Sequence, residues 1–250
     1  MNRKLVAALA CRNQGTRLYG KPLQNLDIGR GITILDYMIS SLKLYEVVDD
    51  IVLSICEGDH NIVYEDIARK HSIKYTFGDE EDVLKRLIES TKHVGGTDIL
   101  RLTSESPFTY FELLNKGWEL HLANNFDLTA LDDVPDGSSF EIIKLDAYIY
   151  SHENGVDKHR SELCSLYIRE NKNKFKIHSL EKHPSIRRPD IRLTVDYPED
   201  LIVCRAVFEE FKEKAPLIPL TDIIKFIDSR DDLKLLVDPF VDEGLKTMYL

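Results

Sequence analysis

The sequence lacks the features of a membrane or secreted protein, and it has a deficit of positive charge. No stretch approaches the ~20 apolar residues that a membrane helix needs, and the apolar segment after Lys4 is too short for a signal peptide. Four widely spaced cysteines form no C-x-x-C pair, which excludes a zinc knuckle and a disulfide framework. With 33 Lys and Arg against 43 Asp and Glu, the formal charge of −10 disfavours nucleic acid and anionic membranes as partners. We therefore expect a folded cytoplasmic protein that binds neither.

Short apolar runs alternate with amphipathic segments through the first hundred residues. Runs rich in Val, Ile and Leu have strand length, and they lie at 4–10, 51–56, 73–77 and 98–103. The segments between them have helical spacing, at 33–44, 61–71 and 80–93. Glu65 with Arg69, and Asp82 with Arg86, are spaced to form ion pairs along their helices. The alternation predicts an α/β fold with right-handed crossovers and a mostly parallel sheet that has helices on both faces.

The alternation weakens after residue 108. The pattern predicts helices ending at about 122 and at 145–153, 161–171 and 198–214, with strands at 126–129, 175–180 and 191–195. A turn-rich segment lies at 132–137, and residues 228–250 show no clear pattern. We expect a single domain over residues 1–250, with a small inserted lobe at about 130–190.

The most informative segment is the loop that follows the first predicted strand. The first thirty residues contain six Lys and Arg but one acidic residue, Asp27, on a chain that is otherwise strongly acidic. In an open parallel sheet, ligands bind beyond the carboxyl ends of the strands, where this loop lies. Gly15 lets the backbone approach an anion, while the side chains of Arg12, Arg17 and Lys21 suit phosphate oxygens. The loop indicates a polyphosphate site, with a solvated basic loop as the alternative.

Two common nucleotide-binding motifs do not fit this loop. The segment from Gly15 to Lys21 matches the first seven positions of a P-loop, but Pro22 stands where a Ser or Thr hydroxyl would bind Mg²⁺. Pro22 also disfavours helical dihedral angles at Lys21, so we expect that the lysine does not open a helix. The sequence has neither a G-x-G-x-x-G segment, typical of dinucleotide-binding enzymes, nor a D-x-D pair of the kind common in metal-dependent glycosyltransferases.

Five collinear segments together resemble one enzyme family. Residues 12–23 resemble the signature R-x-x-S/T-R-L-x-G-K-P-L, and residues 78–86 resemble G-x-E-x-D-V-L-x-R. Residues 101–108 are similar to R-x-T-G-D-C-P, 135–141 to a P-D-G…E turn, and 192–200 to R-L-T-V-D-T-P-E-D. These signatures are those of cytidylyltransferases that activate sugar acids with CTP. The nearest branch is the spore-coat polysaccharide type, a relative of the CMP-KDO and acylneuraminate synthetases.

The resemblance implies a Rossmann-like, GT-A-like nucleotidyltransferase fold and transfer of CMP from CTP with release of pyrophosphate. Arg12, Lys21 and Arg17 would be the catalytic cations that stabilise charge on the triphosphate. Asp196 and Glu105 would bind Mg²⁺, although the family more often has Asp at position 105. The residues that the resemblance places at the nucleotide are Ala10, Cys11, Arg12, Gly15, Thr16, Arg17, Lys21, Asp79, Asp82 and Thr103. Asp82 fits a helix-capping role equally well.

The acceptor implied by the resemblance is an acidic sugar, or a phosphorylated or phosphonate-type small molecule, used in surface polysaccharide or glycoconjugate biosynthesis. We expect it at the 130–190 lobe, which is also the candidate dimerisation region, since relatives are often homodimers. The candidate acceptor-binding residues are Glu141, His159, Arg160 and Arg188. Leu163 replaces a histidine that the branch commonly has, and Glu105 replaces an aspartate. A nucleotide-binding regulatory or degenerate relative without transferase activity is therefore the alternative.

Overall fold

The computed structural model describes residues 3–247, and within this range seven of nine strands join in one sheet. The strands are β1 (Leu5–Cys11), β2 (Asn25–Asp27), β3 (Ile32–Thr33), β4 (Asp50–Cys56), β5 (Lys74–Gly78), β6 (Asp98–Thr103), β7 (Leu128–Ala130), β8 (Glu141–Lys144) and β9 (Ile177–Ser179). The helices are α1 (Ile34–Leu42), α2 (Val63–His71), α3 (Val83–His93), α4 (Leu114–Asn124), α5 (Leu145–Asn154), α6 (Leu166–Glu170), α7 (Pro198–Phe211), α8 (Leu220–Asp228) and α9 (Asp231–Thr247). None of the helices between residues 3 and 247 combines the length and the apolarity required to span a bilayer.

The large sheet is mixed and mostly parallel. Its strand order is β5-β4-β1-β6-β8-β7-β9, and β8 runs antiparallel to both of its neighbours. Strands β2 and β3 form a separate antiparallel pair. The predicted α/β fold with a mostly parallel sheet is confirmed.

Strand β1 lies inside the sheet and packs on both faces. Leu5, Ala7 and Leu9 belong to a core cluster with side chains of α1, α2, α7 and α8, whereas Ala8 packs with side chains of α3 and α5. Successive side chains of a strand point to opposite faces, so a strand covered on both faces is apolar throughout. This explains why the sequence around β1 shows a continuous apolar run rather than alternation.

Most of the predicted elements are confirmed, with differences at their ends. The four predicted strands of the first hundred residues match β1, β4, β5 and β6 to within one residue, and the predicted helices match α1, α2 and α3. The predicted strand at 191–195 is wrong, because that segment forms a single isolated bridge, between Asp136 and Arg192. Strand β8 and helix α8 were not predicted, and α9 lies in the tail that showed no pattern, whose last residues, 248–250, are outside the described residues. The lobe at 130–190 stays a prediction.

The parallel strands bring three loops to one edge of the sheet. Because β1, β4, β5 and β6 run in the same direction, their carboxyl ends meet at that edge. The loops that follow β1, β5 and β6 therefore lie side by side, at the place where ligands bind in open α/β sheets. The cationic loop is one of the three.

Candidate active site

The loop after β1 is fixed at both ends by hydrogen bonds. The hydroxyl of Tyr64 on α2 donates to the carbonyl of Arg12 at 3.0 Å, and the N–H of Asn13 donates to the side-chain oxygen of Asn61 at 2.8 Å. The N–H of Gly20 closes the loop on the carbonyl of Asn13 at 2.8 Å. Gly20 has a φ of 58°, in the left-handed region that favours glycine. The course of the loop is therefore set by its own backbone and by α2.

Gly15 and Lys21 shape the inside of this loop. A Cβ at Gly15 would lie 2.5 Å from the carbonyl oxygen of Leu18, so a larger residue requires the backbone to move. Lys21 begins a three-residue 3₁₀ turn with Pro22 and not an α-helix, which agrees with the prediction that it does not open a helix as a P-loop lysine does. Proline is tolerated at the start of a helical turn because the N–H groups there have no partner within the turn.

The Lys21 ammonium meets the carboxylate of Asp196 across a cleft. Nζ of Lys21 lies 2.6 Å from Oδ1 of Asp196, and both side chains are less than one-fifth exposed. Nη2 of Arg17 lies 3.3 Å from the same oxygen, and its guanidinium is 5.0 Å from the ring centre of Tyr197. The structure thus brings together three of the residues that the resemblance implied, from segments that are about 175 positions apart.

A buried arginine holds Asp196 in place. The side chain of Arg192 is 2% exposed, and its Nη2 lies 3.2 Å from Oδ2 of Asp196. The same guanidinium contacts Asp200 at 3.0 Å and Asp136 at 2.9 Å. Asp200 in turn accepts the backbone N–H groups of Asp196 and Tyr197 at the start of α7. Side chain and backbone of Asp196 are therefore both fixed.

Three carboxylates of the cleft differ in pKa because their neighbours differ. Burial raises the pKa of Asp196, but the charge of Lys21 and its hydrogen bond outweigh burial and bring that pKa below its usual value. Burial raises the pKa of Glu105, with Lys21 opposing the rise and Asp196 adding to it. Burial also raises the pKa of Asp136, to about 6, although Arg192 opposes it. Additional positive charge in this cleft would relieve the repulsion between these groups.

Glu105 and Asp196 fit a divalent cation that is shared with a substrate phosphate. The N–H of Val195 donates to the backbone carbonyl of Glu105 at 3.2 Å, which sets Glu105 beside the segment of Asp196. Enzymes bind Mg²⁺ through one or two carboxylates plus phosphate oxygens and water. Among residues 3–247, no group of three or more His, Cys, Asp or Glu side chains is placed to hold a metal ion by itself. The donor set fits Mg²⁺ bound together with a triphosphate.

Glu105 and Lys21 line an inner pocket between the β1 loop, α3 and the end of β6. It measures about 920 Å³, including space open to solvent. Its lining includes Ala10, Arg12, Gly15, Thr16, Arg17, Lys21, Val83, Arg86, Leu87, Thr103 and Glu105. Arg12 is 43% exposed at the mouth and pairs with Glu162, and such exposed pairs are weak enough to exchange for a ligand. Cys11, also predicted to contact nucleotide, is fully buried and is not among the lining residues of the pocket, so that contact stays a prediction.

An outer pocket continues from the inner pocket towards the loop at 132–139. The two pockets share lining residues that include Arg12, Arg17, Arg101 and Glu105. Lys21 lines the inner pocket and Asp196 the outer one, so their contact lies at the junction of the two pockets. The remainder of the outer pocket is lined by residues that include Glu80, Glu81, Asp132, Asp133, Asp136, Ser139, Ser161, Glu162, Leu163, Thr194 and Asp196. Two ligands bound in these pockets would touch at their junction.

Asp79 and Asp82, predicted to lie at the nucleotide, stabilise the start of α3. The carboxylate of Asp79 accepts the N–H groups of Glu81 and Asp82 at 2.8 and 2.9 Å, which lower the pKa of Asp79. Asp82 caps α3 by accepting the N–H of Lys85 at 2.9 Å, and it pairs with His152 at 2.7 Å. The capping role of Asp82 is therefore observed. Contact of either residue with a nucleotide stays a prediction.

The four predicted acceptor-binding residues do not come together at either pocket. Glu141 is 3% exposed, and its carboxylate contacts Arg169 at 2.7 Å, Ser165 at 2.6 Å and Arg101 at 3.3 Å. The other three contact their own partners: His159 pairs with Glu170, Arg160 lies near Asp82 and Asp157, and Arg188 pairs with Asp190 and Asp228. None of the four is among the lining residues of the two pockets, and Glu141 reaches the cleft only through Arg101, so their role in acceptor binding stays a prediction.

The predicted functional residues do not include two buried arginines, Arg86 and Arg192. Arg86 lines the inner pocket, and its predicted ion pair with Asp82 is wrong, because Nη1 donates instead to the carbonyls of Asp79 and Glu80. The predicted pair of Glu65 with Arg69 is confirmed on α2. Arg86 and Arg192 both lie within segments that resemble family signatures, and that resemblance is the signal that could have identified them.

A mostly parallel α/β sheet, with a glycine-containing cationic loop and a facing carboxylate at its carboxyl edge, defines the chain as a nucleotidyltransferase. A cytidylyltransferase family model matches residues 7–230. The chain belongs to the cytidylyltransferase family.

Individual relatives agree with this assignment. The chain is 28% identical over 230 residues to the spore coat polysaccharide biosynthesis protein SpsF of Bacillus subtilis, covering 90% of this chain and 94% of that one. A cytidylyltransferase from Leptospira borgpetersenii superposes with a TM-score of 0.83 at 22% identity, covering 93% of this chain and 97% of that one. A CMP-KDO synthetase complexed with CTP superposes with a TM-score of 0.61 at 14% identity, covering 83% and 99%. The predicted fold and family are confirmed.

Proposed function

We propose that the protein transfers CMP from CTP to a small-molecule acceptor and releases pyrophosphate. The observation that supports this most directly is the 2.6 Å contact of Lys21 with Asp196, at the junction of the two pockets. A nucleotide in the inner pocket would direct its triphosphate to that junction, where an acceptor in the outer pocket meets the α-phosphorus. The CTP bound to the structurally similar CMP-KDO synthetase supports the choice of nucleotide.

In the proposed reaction, an acceptor oxygen attacks the α-phosphorus of CTP. A bond forms between that oxygen and phosphorus, the bond to the bridging oxygen of the β-phosphate breaks, and pyrophosphate leaves with the electron pair. Negative charge grows on the phosphate oxygens during this step, and fixed cations are the main means of stabilising it. Lys21, Arg17 and Arg12 supply those cations in this site.

A triphosphate would compete with Asp196 for Lys21 and Arg17. Phosphate oxygens accept charge-assisted hydrogen bonds from ammonium and guanidinium groups as carboxylates do. With these donors on the phosphates, Asp196 together with Glu105 would hold Mg²⁺, and the ion would supply further neutralisation of the triphosphate. Arg192 keeps Asp196 in position throughout, because its contact is on the other carboxylate oxygen.

The acceptor that we propose is an acidic sugar, or a phosphorylated or phosphonate-type small molecule. Three guanidinium groups line the outer pocket, those of Arg12, Arg17 and Arg101, and they can bind an acceptor carboxylate or phosphate. The similarity to SpsF supports a role in surface polysaccharide or glycoconjugate biosynthesis. We further propose a cytoplasmic homodimer, as is common in relatives.

The test is pyrophosphate release from CTP and Mg²⁺ with a panel of sugar acids, sugar phosphates and phosphonates. We expect release that depends on both acceptor and Mg²⁺, and none from CTP alone. Lys21→Ala should lose the activity, while Lys85→Ala, which removes an exposed lysine from α3, should keep it. Absence of turnover together with absence of CTP binding in calorimetry would contradict the proposal. CTP binding without turnover would favour the regulatory alternative that Glu105 and Leu163 suggest.

A further inference from the structure

Arg86 is a buried guanidinium that has no carboxylate partner among residues 3–247. The residue is 3% exposed, and its Nη1 donates to the carbonyls of Asp79 at 2.6 Å and Glu80 at 3.3 Å. Two other arginines with little exposure differ, since the half-buried Arg169 pairs with two carboxylates and the buried Arg192 with three. A buried cation without a counter-charge is costly, so its position calls for a ligand or a compensating contact.

One edge of this guanidinium makes no hydrogen bond to the protein. Nε of Arg86 is buried without a hydrogen-bond partner, and within the part of the chain that the structure describes Nη2 has no partner either. The N–H bonds of Nε and Nη2 are parallel and form a two-donor fork. The side chain of Arg86 passes directly over Gly78. A Cβ at position 78 would lie 2.7 Å from Cγ of Arg86, so the glycine leaves the space that this side chain occupies.

The surroundings of Arg86 suit a planar base better than a phosphate. Val83, Leu87, Leu102 and Cys164 line the same pocket and present apolar atoms. Arg12, Arg17 and Lys21 line this pocket too, but Lys21 and Arg17 contact Asp196 at the junction with the outer pocket, so the phosphate-binding role falls to the loop cations and not to Arg86. An apolar slot with a few placed donors is the usual architecture for recognising a heterocycle.

We propose that Arg86 selects the nucleotide base, by donating from Nε and Nη2 to the adjacent acceptors O2 and N3 of cytosine. This assignment rests on the proposed function, which makes CTP the substrate. Uracil carries an N3–H donor where cytosine has an acceptor, so one donor of the fork would face another donor. A buried site that is built for two acceptors rejects a ligand that leaves one of its donors unpaired.

The experiment measures the dissociation constants of CTP and UTP, each with Mg²⁺, by calorimetry. We expect the wild type to prefer CTP by about 10–100-fold, the range that a bidentate arginine contact provides. Arg86→Lys keeps the charge but loses the fork, and it should reduce the preference to less than about threefold. Lys85→Gln, on the same helix and exposed, should leave the preference unchanged. Thermal unfolding checks that each variant folds.

A ligand change tests the same contact without any mutation. The 3-deaza analogue of CTP lacks the N3 acceptor, and the wild type should bind it about tenfold more weakly than CTP. An unchanged preference in folded Arg86→Lys, or equal binding of the analogue, would overturn the assignment. Selective CTP binding without turnover of any acceptor would contradict the proposed transfer but not the proposed base selection. In that case, loss of the CTP preference in Arg86→Lys would still support base selection by Arg86. A wild type that binds neither triphosphate would overturn both proposals.

Discussion

The inner and outer pockets are lined by segments that are held in place by different kinds of interaction. The inner side consists of the β1 loop, α3 and the end of β6, and backbone hydrogen bonds of the sheet and the loop fix it. The outer side consists of irregular segments, and buried ion pairs connect them. Arg192 joins Asp136 to Asp200, and Arg169 joins Asp132 to Glu141.

This difference determines what a mutation on each side should do. Backbone hydrogen bonds persist when a side chain is truncated, so changes on the inner side should alter binding and rate more than folding. Removing one partner of a buried ion pair leaves an uncompensated charge, which is strongly destabilising. Changes to the connecting arginines of the outer side should therefore appear first as lost stability.

The largest expected effect is on the outer side, in Arg192→Met. The substitution leaves the buried carboxylate of Asp200 and the half-buried one of Asp136 without their counter-charge. We expect a loss of about 3–5 kcal/mol in the free energy of unfolding. For a chain of this size, the melting temperature should fall by roughly 6–20 °C. Arg188→Met is the matched control, because Arg188 also pairs with two aspartates but near the surface, and it should cost less than about 1 kcal/mol. Similar losses in both variants would contradict the distinction.

On the inner side, Lys21→Ala should lower kcat/KM by about 10²–10³-fold, the range for losing one group that stabilises the transition state. Its unfolding free energy should change by less than about 1 kcal/mol, because Asp196 keeps its contacts with Arg17 and Arg192. Pyrophosphate release and thermal unfolding measure the two quantities. Combining it with Arg12→Ala should be less than additive if both cations act on one triphosphate. Wild-type rates in the single variant would show that Lys21 is not at the phosphates.

The inner side could be predicted from the sequence because its structure is local. Each strand and helix there has its own hydrophobic period, and the order of elements then fixes the sheet. The outer side gave weaker signals. Strand β8 has four residues and runs directly into α5, so its pattern merges with that of the helix. The segment 191–195 has the alternating pattern of a strand, but it pairs with the turn at Asp136 and Gly137 through one isolated β-bridge only.

The candidate site shows the same division. Family signatures pointed to Lys21 and Asp196, and the structure places them in contact. Helical spacing suggested that Arg86 pairs with Asp82 at the surface, whereas Asp82 caps the helix and Arg86 is buried. The ion pairs of the acceptor-side candidates could not be predicted from sequence, since Arg188, for example, pairs with Asp228, which lies 40 positions away. Which charges pair over such distances depends on tertiary packing that spacing does not contain.

A smaller effect concerns how the stability of the protein changes with pH through the carboxyl group of Asp136 on the outer side. The folded-state pKa of Asp136 is raised to about 6 by burial, against about 3.9 in unfolded chains. The folded state therefore binds the proton more tightly, and the wild type loses stability as pH rises from about 4 to about 6. Asp136→Asn removes this loss, so its stability relative to wild type should increase over that window, by up to about 3 kcal/mol.

Urea unfolding between pH 4 and pH 8 measures this change. Asp190→Asn is the control with the opposite sign. The hydrogen bond from Arg188 lowers the pKa of Asp190, so the wild type gains stability relative to this variant as pH rises through the ordinary range of an aspartate. The effect should be small because Asp190 is exposed. A constant difference between Asp136→Asn and wild type at all pH values would contradict the prediction.

The smallest expected effect is on the inner side, in Gly15→Ala. The added methyl group would lie 2.5 Å from the carbonyl oxygen of Leu18, so the loop must shift between its fixed ends. We expect CTP to bind about tenfold more weakly in calorimetry, equivalent to roughly 1.4 kcal/mol, with little change in melting temperature. Gly29→Ala is the control, since its Cβ would approach Oδ1 of Asp27 no closer than 3.4 Å. Unchanged CTP affinity in Gly15→Ala would mean that the loop yields freely, and the inner side would then not be the rigid half of the cleft.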